Sequence, residues 1–167
     1  MCYFAYGSNM STRRFKVRVP SGKTVGIAVL DRYRLAFHKR SFDGSAKCDV
    51  IETGAKDDRV YGVLYEISAD ELPRLDMAEG KGSGYERRTV AVTAEGRSPI
   101  LAECYFATDI GTETTPYSWY LYHVLTGAQE EQLPAWYIAQ IASVVCTPDL
   151  DMGRSAHELA IYADADA

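Results

Sequence analysis

Hydrophobic residues in the first two thirds of the chain recur mostly at every second position, which is the period of a β-strand with one buried face. The clearest case covers residues 60–67, where Gly62 predicts a bulge or the close passage of another backbone, as in a strongly curved sheet. Further strands are predicted over residues 3–6, 25–29, 33–37, 48–53, 85–93 and 101–107. Turn-forming pairs such as Asp43-Gly44 separate these strands, so most of them are expected to pair in antiparallel order.

Apolar residues spaced three and four apart, the period of a helix, dominate the last third of the chain and predict helices over residues 117–125 and 133–145. Earlier, the segment Ser68-Ala69-Asp70-Glu71 matches the capping-box pattern and predicts a helix that begins at Ser68 and ends near Glu79-Gly80. Two shorter helical segments, the second with a frayed acidic end, are predicted over residues 11–19 and 155–167.

The order of these elements predicts one domain over residues 1–167. Most strands are joined by short turns, and the helices lie between two strands or after all of them. This order favours an α+β fold, a curved and largely antiparallel mixed β-barrel flanked by helices, over a doubly wound parallel sheet. A chain of 167 residues, 47% of them hydrophobic, is long enough for one domain with a core and too short for two ordinary ones.

Charge and composition argue against two classes of partner. The net charge is −5, and the basic residues are scattered apart from a cluster at Arg13, Arg14, Lys16 and Arg18, which we interpret as a solvated face. No nucleic-acid partner is therefore expected. The chain has no apolar run long enough for a membrane span and no signal-peptide pattern, so we expect a cytoplasmic protein without membrane contact. The sequence predicts no oligomeric state.

The cysteines and histidines form no metal-binding pattern. The four cysteines are far apart, without a Cys-x-x-Cys motif and without histidines at ligand spacing. We therefore predict reduced thiols, no metal and no other cofactor.

The first strand ends in a polar turn, Gly7-Ser8-Asn9, with groups suited to binding an anion. Glycine adopts backbone angles that side chains forbid, serine and asparagine bring hydroxyl and amide groups, and consecutive N–H groups in such a turn can cradle a carboxylate. An ordinary turn has the same composition, and the segment alone leaves both interpretations open.

Glu79 is a candidate for acid-base chemistry. It lies at the predicted C-terminus of a helix, where its charge opposes the helix dipole, directly before a glycine-rich segment at residues 80–84. Residues that break a local rule in this way are typical of functional sites. The alternative is a solvated glutamate at a helix end.

The sequence gives little support to nucleophilic catalysis. Ser8 lies in no Gly-x-Ser-x-Gly motif and has no evident histidine partner. Cys104 lies in an apolar strand, where an inert core thiol is the ordinary expectation, and His123 falls in a helix at a position typical of a structural or exposed residue.

Five motifs occur in order along most of the chain. They are YFAYGSNM at residues 3–10, VYGVLYEI at 60–67, LDMAEG at 75–80 followed by YERRTVAV at 85–92, CYFA at 104–107 and PYSWYLYHVLTGAQEEQLPAWY at 116–137. In this order they resemble the γ-glutamylcyclotransferase-like family, which includes γ-glutamylamine cyclotransferases and plant avirulence-induced-gene-like proteins.

The resemblance implies a γ-glutamylcyclotransferase-like fold, in agreement with the strand pattern. It also implies an enzyme that cyclises the γ-glutamyl group of a small-molecule γ-glutamyl amino acid or amine to 5-oxoproline and releases the free amine. The family's proton carrier corresponds to Glu79, which is expected to act as general acid/base. The substrate-binding positions correspond to Ala5, Tyr6, Gly7, Ser8, Asn9, Tyr85 and Tyr137.

Two segments depart from the family pattern. Residues 44–53 carry a lysine and a cysteine in place of small and aliphatic residues, so we do not expect pocket contacts from them. The basic residues of segment 13–23 are distinctive enough to alter which leaving group is accepted. A non-catalytic relative that binds a small amino-acid-like ligand or a protein partner is the alternative function, because a fold alone does not guarantee chemistry.

Overall fold

The computed structural model describes residues 1–94 and 98–165. The strands within them are β1 (Cys2–Ala5), β2 (Lys23–Asp31), β3 (Tyr33–Arg40), β4 (Ala46–Glu52), β5 (Arg59–Glu66), β6 (Tyr85–Ala94) and β7 (Ile100–Ala107). The α-helices are α1 (Thr12–Arg18), α2 (Leu72–Glu79), α3 (Ser118–Glu130), α4 (Ala135–Ala142) and α5 (Met152–Leu159). Short 3₁₀ segments cover Ser8–Met10, Ala69–Glu71 and Ala160–Ala165.

A closed barrel with the strand order β1-β5-β2-β6-β7 forms the centre of the fold. Each of these strands pairs with the next in antiparallel orientation, and a parallel bridge between Tyr3 and Glu103 joins β1 to β7. Closure leaves the sheet without an exposed edge. The α+β fold with a mixed, largely antiparallel barrel, predicted from the sequence, is confirmed.

Gly62 on β5 marks a close passage of β1. A Cβ atom at this position would lie 2.3 Å from the carbonyl oxygen of Ala5 and 2.8 Å from the ring of Phe4. Only glycine allows β1 to run this close to β5, as the sequence pattern had suggested. The contact fixes where β1 ends and where the following turn begins.

The turn after β1 is packed between the barrel and α3. The Tyr65 hydroxyl donates to the carbonyl oxygens of Asn9 and Met10, each at 3.1 Å. On the other side, a Cβ at Gly127 of α3 would lie 2.2 Å from the amide nitrogen of Ser11, so glycine is needed there as well. This packing holds the turn rigidly against the fold.

Strands β3 and β4 form a separate two-stranded sheet. Their register shifts between Phe37 and Lys39, which is a β-bulge of the kind that redirects a side chain. The hairpin is joined to the barrel by Asp49, whose Oδ1 accepts from the amide of Ala107 at 2.8 Å. It thereby brings β4 to the end of the barrel where β1 terminates.

The predicted capping box at Ser68 is wrong. The Ser68 hydroxyl bonds to Asp70 Oδ1 at 2.9 Å and caps no backbone N–H. Residues Ala69–Glu71 form a 3₁₀ turn, and α2 begins at Leu72 with Pro73 in its first turn. Proline has no N–H to donate and fits the first turn of a helix, so it sets the later start.

The C-terminal helix begins earlier than predicted and its end is packed. Asp151 accepts from the amide of Arg154 at 2.9 Å and caps α5 at Met152. Beyond the helix, the Tyr162 hydroxyl donates to Ser11 Oγ at 2.9 Å. The segment predicted to fray, residues 155–167, is therefore anchored as far as Tyr162, while residues 166–167 lie outside the described part of the chain.

Candidate active site

A cavity opens beyond the C-terminal end of β1, where the barrel, the β3–β4 hairpin, α2 and α3 meet. It encloses about 290 Å³ when its open mouth is counted. We call it the inner cavity, and its lining consists of Tyr3, Tyr6, Gly7, Ser8, Asn9, Cys48, Glu79, Tyr85, Tyr105 and Tyr120. The structure thus brings the predicted turn and the predicted acidic residue to one site, although they are seventy positions apart.

Glu79 is the last residue of α2 and is held by two donors. Its Oε1 accepts from Asn9 Nδ2 and from Arg18 Nη1, both at 2.7 Å. Gly80 follows in the left-handed conformation (φ 66°) and ends the helix, as the glycine after Glu79 predicted. The side chain is 15% exposed, and its Oε2 makes no hydrogen bond within the described residues.

The side chain of Asn9 makes three hydrogen bonds, one of which connects the turn to Glu79. Besides donating to Glu79, its Nδ2 donates to the Tyr3 hydroxyl at 2.9 Å, and its Oδ1 accepts from Arg18 Nη1 at 2.7 Å. The amide therefore has a single satisfied orientation. A side chain fixed in this way places the Glu79 carboxylate accurately at the cavity.

Gly7 is tightly packed against β4 and α3. Its φ is −116°, and a Cβ there would lie 3.1 Å from Cys48 Cβ and 3.4 Å from the Tyr120 hydroxyl. The carbonyl of Gly7 accepts from the amide of Met10 at 2.9 Å, whereas the amides of Ser8 and Asn9 make no hydrogen bond to the described residues. Backbone N–H groups of this turn are therefore available to an anionic group of a ligand.

Buried tyrosines make up half of the residues that line the cavity, and the hydroxyls of three of them are hydrogen-bonded to the backbone. Tyr6 donates to the carbonyl of Tyr105, Tyr85 donates to the carbonyl of Cys48 at 2.6 Å, and Tyr120 accepts from the amide of Cys48 at 3.0 Å. Burial raises the pKa of Tyr6, Tyr85 and Tyr120 well above 10. The wall is therefore neutral at physiological pH and supplies oriented dipoles.

The candidate nucleophiles lack a base. The Ser8 hydroxyl accepts from Arg14 Nε at 3.2 Å and makes no contact with a histidine in the described residues. Burial raises the pKa of the Cys48 thiol to about 12, and the same cause raises the pKa of Cys104. A thiol that stays protonated is a weak nucleophile, so the geometry disfavours a covalent intermediate.

A second, larger depression adjoins the inner cavity, and we call it the outer cleft. It shares Ser8, Glu79, Tyr85 and Tyr120 with the inner cavity. Its remaining lining residues are Arg14, Arg18, Lys39, Ser41, Asp43, Lys47, Ala78, Trp119 and Glu158. The cleft is thus built from charged side chains, whereas the inner cavity is built mostly from neutral ones.

Two predicted substrate-binding residues do not line the inner cavity. Ala5 is buried at the end of β1 and positions the turn through its close contact with Gly62. Tyr137 is buried in α4, with its ring centroid 5.2 Å from that of Tyr61, and its hydroxyl has no hydrogen-bond partner within the described residues. The structure does not bring Tyr137 to the site.

Several site residues were missed by sequence reasoning. The basic cluster is not a solvated face as a whole, since Arg14 and Arg18 point into the site and pair with Glu158 and Glu79. Their spacing of four residues, which places them on one face of α1, was the available signal. The expectation that residues 44–53 stay out of the pocket is also wrong, because Cys48 lines the inner cavity.

Within the described residues, no group of three or more His, Cys, Asp or Glu side chains is arranged to hold a metal ion. The helices described are also too short or too polar to span a membrane.

The chain is similar to γ-glutamylcyclotransferases in sequence and in structure. An AIG2-like family model matches residues 59–141. The bovine γ-glutamylcyclotransferase is 30% identical over 94% of this chain and 84% of its own length, and the human one is 29% identical over the same shares. A solved structure of a γ-glutamyl cyclotransferase superposes with a TM-score of 0.81 at 27% identity, covering 88% of this chain and 89% of that one.

Proposed function

This chain belongs to the γ-glutamylcyclotransferase family of enzymes, and from that premise we propose that it cyclises a γ-glutamyl amide to 5-oxoproline with Glu79 as general acid and base. One observation carries the proposal. A carboxylate held by two donors lines the same small cavity as a turn whose Ser8 and Asn9 amides make no hydrogen bond to the residues that the structure describes.

The substrate contains its own nucleophile. Its α-amine reaches the γ-carbonyl carbon through a five-membered ring, forms the new C–N bond, and expels the amine that the γ-glutamyl group carried. The α-amine is mostly an ammonium near neutrality, so it must lose a proton before the attack, and the leaving nitrogen must gain one. The enzyme therefore needs a single proton carrier and a surface that folds the substrate into the attacking shape.

Glu79 has the position of that carrier. Asn9 and Arg18 engage Oε1, which leaves Oε2 to take the proton from the ammonium and to return it to the leaving nitrogen. The fixed orientation matters because proton transfer requires the two heavy atoms to come within hydrogen-bond distance. No metal or enzyme nucleophile takes part in these steps.

The inner cavity supplies the binding surface for the γ-glutamyl half. The amides of Ser8 and Asn9 are suited to the α-carboxylate or to the oxyanion that develops on the γ-carbonyl. The anchored hydroxyls of Tyr6 and Tyr85 leave a rigid wall, against which the chain of the substrate bends into a ring-like shape. A rigid surface of this kind speeds the cyclisation because it holds the α-amine close to the γ-carbonyl carbon.

The substitution Glu79→Gln tests the proposal. It retains the shape and the hydrogen-bonding ability of the side chain but removes its capacity to carry a proton. We expect kcat for 5-oxoproline release, measured by mass spectrometry on γ-glutamyl-L-alanine, γ-glutamyl-ε-lysine and glutathione, to fall by at least about 100-fold on every accepted substrate.

The matched control is Glu66→Gln, an exposed carboxylate on β5, which should leave turnover unchanged. Turnover by the Glu79→Gln variant close to that of the wild type would refute the role of Glu79. Binding of γ-glutamyl compounds by the wild-type protein without any 5-oxoproline release would instead support the non-catalytic alternative.

A further inference from the structure

The charges of the outer cleft do not balance. Four basic side chains and three acidic ones line it in the described residues. Three ion pairs account for all the acids, namely Arg14 with Glu158, Arg18 with Glu79, and Lys47 with Asp43. Lys39 is the basic residue left over, and its ammonium makes no ion pair or hydrogen bond within the described residues.

Lys39 is held in place although it lacks a counter-ion. It follows the β-bulge between Phe37 and Lys39, and the residue is only 8% exposed. A Cβ at Gly84 would lie 2.9 Å from its Nζ and 2.9 Å from its Cε, so the loop after α2 packs directly against the end of the side chain. The ammonium lies 5.2 Å from the ring centroid of Tyr85.

A lysine with so little exposed surface and no directly paired anion is costly, because burial removes hydration that an ion pair would replace. Burial accordingly lowers the pKa of Lys39 below its usual value of 10.5, while the carboxylates of Asp109, Asp43 and Glu79 oppose this effect. An ordinary structural lysine would extend to water. The position of Lys39 in the wall of the outer cleft therefore indicates a group that binds an anion.

The place of that anion follows from the site, and this step rests on the proposed function. Glu79 and Tyr85 line both the inner cavity and the outer cleft, so the scissile bond lies where the two meet. With the γ-glutamyl half inside, the leaving amine extends into the outer cleft. The ammonium of Lys39 lies against the ring of Tyr85, next to this boundary.

We propose that Lys39 is a specificity-determining residue that binds the α-carboxylate of the departing amino acid and thereby selects γ-glutamyl amino acids over γ-glutamyl amines without a carboxylate. A charge-assisted hydrogen bond from Nζ to the carboxylate provides the missing counter-ion. The reaction is otherwise unchanged. The α-amine bonds to the γ-carbon, the amide C–N bond breaks, the proton passes through Glu79 to the leaving nitrogen, and the amino acid departs with its carboxylate intact.

Two substrates that differ only in the carboxylate test this proposal on the wild-type enzyme. They are γ-glutamyl-L-alanine and γ-glutamylethylamide. We expect kcat/KM for 5-oxoproline release to be about 10- to 100-fold higher for the first, the range typical of a hydrogen bond to a charged group. Equal kcat/KM values for the two substrates would overturn the role of Lys39 while leaving the proposed function intact. Failure to release 5-oxoproline from both substrates would overturn the proposed function together with the role of Lys39.

The substitution Lys39→Met removes the charge and keeps the length of the side chain. It should lower kcat/KM for γ-glutamyl-L-alanine by about 10- to 100-fold and change that for γ-glutamylethylamide by less than about 3-fold. Lys39→Arg should recover part of the preference for the carboxylate. The matched control is Lys56→Met, which removes an exposed lysine far from the cleft in sequence and should alter neither value.

The fold of each variant is checked by its melting temperature, and Lys39→Gln replaces Lys39→Met if the latter does not fold. An equal loss on both substrates would show that Lys39 acts on the chemical step or on the structure, and would overturn its role in selecting the carboxylate. Unchanged kcat/KM for both substrates would overturn that role as well.

Discussion

The inner cavity and the outer cleft share a boundary but are built on opposite principles. In the described residues, the inner cavity combines buried, neutral tyrosines with backbone groups and the carboxylate of Glu79. The outer cleft is lined by ion pairs and by the unpaired Lys39. In the proposed reaction, the inner cavity would hold the γ-glutamyl half of the substrate and the outer cleft the amine that varies.

The two regions also differ in where their residues come from. Most of the inner cavity derives from the turn after β1, the end of α2 and the start of β6. The outer cleft adds side chains from α1, from the β3–β4 hairpin and from α5, which are far apart along the chain. Apart from Arg18, which holds Glu79, the side chains that only the outer cleft contains can vary without disturbing the chemistry, so specificity is expected to reside there.

Arg18 is the residue that joins the two regions, and its removal should have the largest effect after that of Glu79. Its Nη1 donates to both Asn9 Oδ1 and Glu79 Oε1, at 2.7 Å each. We expect Arg18→Gln to lower kcat by about 10- to 100-fold on γ-glutamyl-L-alanine and on γ-glutamylethylamide alike, with little change in KM, because it acts through the position of Glu79.

Arg18→Lys should restore part of kcat, since it keeps a positive donor, and Lys16→Gln on the exposed face of α1 is the matched control. A loss confined to the carboxylate-bearing substrate would place Arg18 in the recognition of the leaving group instead. The separation between an inner chemical site and an outer specificity site would then fail.

The anchor of α5 at the rim of the outer cleft gives a smaller, pH-dependent effect. The hydrogen bond with His123 and the charge of Arg14 hold the pKa of Glu158 at about 2, against an ordinary value of 4.5. Because this pKa is lowered in the folded state, Glu158 stabilises the fold above about pH 4.5, and this contribution is lost as the pH falls toward 2.

We expect Glu158→Gln to lower the free energy of unfolding at pH 7 by about 1 kcal/mol after solvent screening, or the melting temperature by about 3 °C. The difference from the wild type should shrink as the pH is lowered from 4.5 to 2. Glu66→Gln serves as the control, and a difference that is constant with pH would contradict the ionic anchor.

Much of the fold was predictable because its signals are local. The alternation on residues 60–67 and the glycine at position 62 predicted a curved strand passed closely by another backbone, and β5 has this contact. The parallel bridge from Tyr3 to Glu103 that closes the barrel and the bulge that precedes Lys39 depend on contacts between distant strands. No periodicity along one strand encodes such contacts.

The difference between local signals and contacts between distant residues also explains which site residues the sequence predicts. Glu79 violates a local rule and follows a recognisable motif, so the sequence marks it. Arg18 belongs to a cluster that is typical of a solvated surface, and its role depends on a partner sixty-one positions away. The anchored tail was missed for the same reason, since Tyr162 gains its position from a bond to Ser11 across the fold.

Substitution of Cys48 should have the smallest effect on kcat. It tests whether Cys48 contributes to the inner cavity through its backbone groups and not through its thiol. Its carbonyl accepts from Tyr85 and its amide donates to Tyr120, while burial raises the pKa of its thiol to about 12. The variant Cys48→Ala retains both backbone contacts and should keep kcat within about 3-fold of the wild type, as expected for a thiol that stays protonated at neutral pH. Tyr85→Phe, which removes the hydroxyl bonded to the Cys48 carbonyl, should reduce kcat by more than Cys48→Ala does. Loss of 5-oxoproline release by Cys48→Ala would make the thiol a participant in the reaction, and the neutral wall of the inner cavity would no longer suffice to explain the chemistry.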